Sequence, residues 1–444
     1  MNNYQSISNE LGLDNGFFST RITTLNKLIT SENRLSESFT FNLQQVAHTK
    51  FKDYIDFGEM EKPTKALAEI LFSGESINKR GDTAPLLEVE MDIGFVGNPN
   101  IGSVVLNQFK DSDEFIEFAS NFDENDRVFI ISSIFGGTGA AGFPVILKNI
   151  RDAMNNKKIQ GKGFLKNAKI GALTVLPYFN IEKDEDSPIQ KSDFIAKTKS
   201  ALHYYKNNVT GNNSVNALYY ISDNYSGKPY KNDPGENGQQ NDAHFIELAS
   251  ALAVIDFLEL RDENLDSVDG RATHPIYKEF GIKRDASEIK FSDFEDQTQR
   301  KLSLRLSQLV LFKKYLDERL ALSIEKEPWS TRPPALDKQF LDDSFYRTNI
   351  EEFMTSFNEW LKEMSENRRS FAPFNLDSSL EALIKDKTVP SGFFSRSKID
   401  YAFYDSQLSL HSKGKSYRSA RQKFVNLFFE ATEKILISKY GLQQ

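Results

Sequence analysis

The chain has 444 residues, 39% hydrophobic and 27% charged, enough to bury a large core and to divide it between more than one domain. It contains no cysteine, which excludes disulfides, thiolate nucleophiles and cysteine-built zinc sites. A formal charge of -8 argues against a general nucleic-acid binder, and no run approaches the roughly 18 apolar residues of a membrane span. The opening "MNNYQSISNELGL" lacks the basic-then-apolar pattern of a secretion signal, so a cytoplasmic location is expected. His48, His203, His244, His274 and His411 form no metal-ligand spacing, and no metal site built on them is expected. Phenylalanine, with 36 copies, is expected to carry much of the core.

The first 85 residues are polar and mixed, with one amphipathic helix in "KPTKALAEILFSG", closed by Gly74. From residue 86 the texture changes. "LLEVEMDIGFVGNPNIGSVVLNQF" reads as a strand, a loop spanning Gly97 to Gly102 and a helix; "DSDEFIEFASNF" continues helical. "DRVFIISSI", "KIGALTVLPYF" and "VNALYYISDN" read as buried strands, with a helix in "FPVILKNIRDAM" between the first two. Strand and helix alternate without an obvious hairpin, the pattern of a mostly parallel sheet with helices on both faces: an α/β fold. A nearly wholly apolar helix over 242–262 is expected to be central and buried. Residues 263–290 turn polar and read as an insertion or linker, and 291–444 as a helix-rich C-terminal domain. Within it, the basic run "HSKGKSYRSARQK" is either a docking patch for an acidic partner or a solvated helix start.

The stretch that raises the question of function is "VFIISSIFGGTGAAGFPVILKNI", residues 128–150. Gly136, Gly137, Gly139 and Gly142 stand between a buried strand and a helix expected to begin near Ala141, with Pro144 in its first turn. Such a turn lets a backbone approach something closely, and the unpaired N–H groups of the helix start favour an anion. Thr138 adds a hydroxyl. A second glycine loop, "GFVGNPNIG" with Gly97, Asn98, Asn100 and Gly102, is expected one strand earlier, so that both open on one crevice at the carboxyl ends of the strands. Two such loops suit a di- or triphosphate. A Walker loop is absent, because no lysine follows Gly142 before Lys148. A dinucleotide fold is disfavoured: "NNKKIQGKGF" lacks the acid that would hold a ribose.

"GGTGAAGFPVI" resembles the phosphate-binding signature GGGTGTGAAPVI of the tubulin and FtsZ superfamily, and "GNPNIG" resembles that family's upstream loop GxNPEIG. "DRVFIISSI", "GALTVLPYF" and "YYISDN" follow the family order over residues 94–224. The resemblance implies a guanine-nucleotide domain, with residues 1–85 as its divergent N-terminal part and 86–241 as its core. Gly136, Gly137, Thr138 and Gly139 would cradle the phosphates of GTP or GDP and the accompanying Mg2+, with Gly97, Asn98 and Gly102 opposite. Asn224 would lie near the ribose, and Asn241 or, preferably, Asp242 would pair with the guanine edge. It further implies head-to-tail self-association into filaments, in which Asp293 and Asp296 of "FSDFED" would reach the next subunit's nucleotide and orient the attacking water of a GTPase. Departures accompany it: the acidic motif arrives later in the chain than in the family, after the polar insertion, and Asp293 and Asp296 read equally as a solvated helix start. Phe291 replaces the asparagine of that acidic motif, and no glycine-rich N-terminal loop precedes Gly94. They motivate the alternative of a non-hydrolysing scaffold that acts with a partner protein, and the large helical tail would offer that partner a surface.

Overall fold

The computed structural model of the chain describes residues 2–12, 16–20, 22, 46, 49–77, 83–91, 95, 97–159, 163–179, 191–223, 242–280, 287–387, 389 and 399–443. Two compact units divide it. One comprises Thr24–Asn241 and Phe245–Asp285; the other comprises Met1–Thr23, Asp242–His244 and Ala286–Gln444.

The first unit is built on a parallel four-stranded sheet. In chain order its principal elements are α1 (Pro99–Leu106), β1 (Arg127–Ser133), α2 (Gly137–Arg151), β2 (Lys169–Val175), α3 (Lys191–Tyr205), β3 (Ala217–Ile221), α4 (Phe245–Glu259) and β4 (Ile276–Phe280). The strands lie side by side in sequence order, with Arg127 opposite Lys169, Gly171 opposite Ala217, and Ala217 opposite Ile276. The three runs read as buried strands are β1, β2 and β3; β2 and β3 are buried, whereas β1 is largely half-buried, with Ile131 56% exposed. Side chains alternate between the faces. Ile170, Ala172 and Leu218 join Phe143, Leu147 and Ile150 of α2, Tyr205 at the end of α3, and Phe115 and Ala119 of the helix Asp113–Asn121. On the other face the Phe129 ring lies between those of Tyr219, 5.7 Å away, and Phe257 of α4, 5.3 Å away. Gly171 lies in the central β2 because a Cβ there would stand 2.6 Å from the Phe129 ring and 2.8 Å from that of Phe257.

Several expectations need correction. α4 begins at Phe245 rather than residue 242, and one of its flanks is open, with Ile255 44% and Leu258 59% exposed. The stretch from Leu86 forms no sheet strand among the described residues. Leu86–Glu88 is a 3-10 turn, and Glu90 makes only an isolated bridge to Lys50. Leu86, Val89, Met91 and Phe95 bury themselves with Phe51, Ile101 and Val105 in a cluster of their own, while Glu88 is held by Lys50 and Lys52. Within 263–290, read as insertion or linker, Ser267–Val268 and Arg271–Ala272 form a hairpin, and Ile276–Phe280 is the fourth strand of the sheet. The hairpin turns on Asp269 and Gly270, both left-handed at φ 51° and 77°.

The second unit is helix-rich, with α5 (Asp296–Glu318), α6 (Glu352–Glu366), α7 (Tyr401–Ser412) and α8 (Ala420–Tyr440). Its core is aromatic. Phe428 lies 4.9 Å from both Phe312 and Phe424, and 5.6 Å from Trp329. One carboxylate, Asp405, is buried there and fully engaged, accepting from the Tyr315 hydroxyl, Arg319, Ser323 and Trp329. The basic run at 411–423 is largely spent internally. Lys415 pairs with Glu430, and Arg421 with Asp343 and Glu10; buried Lys423 donates to the carbonyls of Arg332 and Pro334. No helix among the described residues is long and apolar enough to cross a membrane.

Candidate functional site

The glycine-rich turn after β1 is shorter than the sequence suggests. α2 begins at Gly137, four residues before the expected Ala141, so Gly137, Thr138 and Gly139 are its first three residues. Their N–H groups are the orphan donors of the helix start. The N-cap, Gly136, has no side chain to satisfy them, and the first turn contains no acid. The earlier start also moves Pro144 into the helix interior, where it cannot donate to the carbonyl of Ala140. The buried Tyr205 hydroxyl fills that gap, donating to Ala140 O at 3.1 Å, while its ring meets Phe143 edge-on. Burial holds the Tyr205 hydroxyl well above its ordinary pKa, so it remains a donor.

The glycines make room for protein backbone. A Cβ on Gly137 would stand 2.8 Å from Asn98 N and 3.0 Å from Gly97 N, and one on Gly139 would stand 2.6 Å from Ser133 O. Gly102 is equally confined by side chains: a Cβ there would stand 2.8 Å from the Phe95 ring and 3.0 Å from Ala141 Cβ. Gly136 alone of these has ordinary clearance, its nearest neighbour being Ser133 Oγ at 3.4 Å. The "GNPNIG" loop therefore reaches the "GGTG" turn through the packing of α1 on α2, and the adjacent strand that was expected to deliver it is not among the described residues.

Gly97, left-handed at φ 70°, turns the chain into α1. Asn98 is the N-cap without capping through its side chain, Pro99 follows at the first helical position, and α1 too carries no acid in its first turn. The Asn98 amide donates to Ser76 Oγ at 3.1 Å, and its backbone N–H donates to Phe95 O at 2.8 Å. The result is two acid-free helix starts in backbone contact, with the exposed Thr138 and the Ser133 hydroxyl beside them. Two side chains that sequence reasoning overlooked also border this place. Ser133 ends β1, and Lys197 on α3 brings its Nζ within 3.5 Å of a Cβ position on Gly97. Lysine within an ordinary helix gives no local signal of such a position.

The remaining residues divide otherwise. Asn224 and Asn241 lie outside the described residues. Asp242 is exposed, three positions before α4, and belongs to the second unit. Asp293 and Asp296 are exposed residues of that same unit. The Asp293 carboxylate accepts the N–H of Lys290 at 2.8 Å and so caps its own turn, while Asp296 opens α5. Phe291 is buried, its ring 5.4 Å from Phe374 and 6.0 Å from Phe371. Among the described residues no group of three or more carboxylates and histidines gathers in a way that would hold a metal ion. In comparisons with known proteins, no family model, no curated protein and no solved structure matches the chain.

Proposed function

We propose that the chain binds the phosphate tail of a guanine nucleotide, GTP or GDP with its Mg2+, where α1 and α2 begin, and that it acts as a tubulin-like protein of the cytoplasm. The observation that carries the reading is the contact of Gly137 with Gly97 and Asn98, which sets two uncapped, acid-free helix starts side by side. Each start carries about half a positive charge and unpaired donors, and phosphate oxygens satisfy both. The resemblance of the two loops to the FtsZ-like pair supplies guanine as the base. The test is equilibrium titration of the full chain with labelled GTP and ATP. Saturable GTP binding is expected, and its absence would defeat the reading.

Hydrolysis is proposed to need head-to-tail self-association, with Asp293 and Asp296 orienting water. Phosphate release would then rise more than proportionally with protein concentration. A second reading, a nucleotide-locked scaffold that works with a partner protein, is favoured by Phe291, which is committed to the core, and by Asp293, which is engaged with Lys290. It requires GTP binding with no phosphate release at any concentration.

A further inference from the structure

We propose that Lys197 is the cation that meets the nucleotide's phosphate tail and makes affinity depend on phosphate charge; this rests on the nucleotide reading above. Lys197 is an exposed residue of α3, remote in sequence from both glycine loops. Its Nζ is 3.5 Å from the point where a Cβ on Gly97 would stand, and, chain neighbours aside, no other heavy atom of the described residues lies within 4 Å of that point. A side chain at position 97 would occupy the space beside the ammonium, and the left-handed glycine leaves it free. Gly97 N lies 3.0 Å from the Cβ position of Gly137, so the ammonium stands at the seam of the two helix starts.

The charge balance at that seam points to an anion. Lys166 and Lys169 of the same unit are paired with Asp269 and Asp262. Lys197 has no ion pair among the described residues, and neither adjoining helix places an acid in its first turn. A full positive charge and two helix ends of about half a charge each repel one another unless a ligand lies between them. The terminal oxygens of a triphosphate supply the charge and the acceptors together, and an ammonium serves them as a point charge.

The test compares GTP, GDP and inorganic tripolyphosphate on the unaltered chain, K197A, K197Q and, as a neighbouring exposed control, K199A. Removing a charge-assisted contact is expected to weaken GTP and tripolyphosphate by about 10- to 100-fold in both Lys197 variants. GDP should lose less, and K199A should match the unaltered chain. K197Q keeps a polar side chain of similar helix propensity while removing the charge; if it bound GTP as the unaltered protein does, this inference would fall and the nucleotide reading would stand. If the unaltered chain bound neither GTP nor tripolyphosphate, the nucleotide reading would fall and take this inference with it.

Discussion

Pro144 and Tyr205 show how one residue's deficit is met by another far along the chain. Proline within α2 leaves the Ala140 carbonyl without its helical donor, and Tyr205 provides one through its hydroxyl. Tyr205→Phe is therefore expected to cost about 1–3 kcal/mol, the price of an unsatisfied buried acceptor. In a Pro144→Ala background position 144 regains its N–H, and most of that loss should vanish. Urea unfolding of the four proteins of this cycle measures it; equal losses in both backgrounds would disprove the coupling. The proline and the glycines were visible in the sequence. Their positions inside the helix were not, because a glycine cluster reads as a loop until neighbouring backbone is seen to need its missing side chains.

Among the elements, the amino ends of the central strands are tied by a buried polar hub. Fully buried Asn216 accepts from Ile170 N–H at 2.8 Å and donates to Leu265 O at 2.6 Å and Ser267 Oγ at 2.8 Å. Arg151, whose pKa burial lowers to about 10, spreads its donors over the carbonyls of Lys166, Ala168 and Ser214. Asn216→Ala would orphan groups on β2 and on the segment leading to the Asp269–Gly270 hairpin at once. It should cost on the order of 3 kcal/mol, and a loss below about 1 kcal/mol in chemical denaturation would contradict that. β2 and β3 were legible because their apolar, β-branched runs suit strands buried in a parallel sheet, and the same texture marked β1 as a strand although it is largely half-buried. β4 was not: "IYKEF" at an exposed edge carries two adjacent charges and lies in polar surroundings. The Asp-Gly pair before it was a hairpin signal in plain sight.

For the whole molecule, stability in alkali follows from what the core has buried. Burial lowers the Lys423 pKa to about 8 from 10.5, so between those values the unfolded chain binds more protons and stability rises with pH. Burial raises Tyr205, Tyr315, Tyr346, Tyr404 and Tyr440 above 10, so above that pH the unfolded chain releases protons that the folded one keeps, and stability falls. A denaturant midpoint that climbs from pH 8 and turns down above about pH 10 is expected. Lys423→Met should abolish the climb and leave the fall; a climb that survives the substitution would assign it to another group.

The order of apolar runs, turns and glycines sufficed to establish an α/β sheet unit and a helix-rich C-terminal region, because burial on one face or two imposes its own periodicity on a chain. It was also enough to single out two glycine loops. Only the tertiary structure decided that they touch, and how: Gly97 and Asn98 lie on Gly137 because α1 packs against α2. It likewise decided that Lys197 arrives at the same place and that Asp293 caps its own turn. Local spacing records which face of an element is buried, whereas the meeting of residues distant in sequence depends on how elements pack, which no local pattern carries.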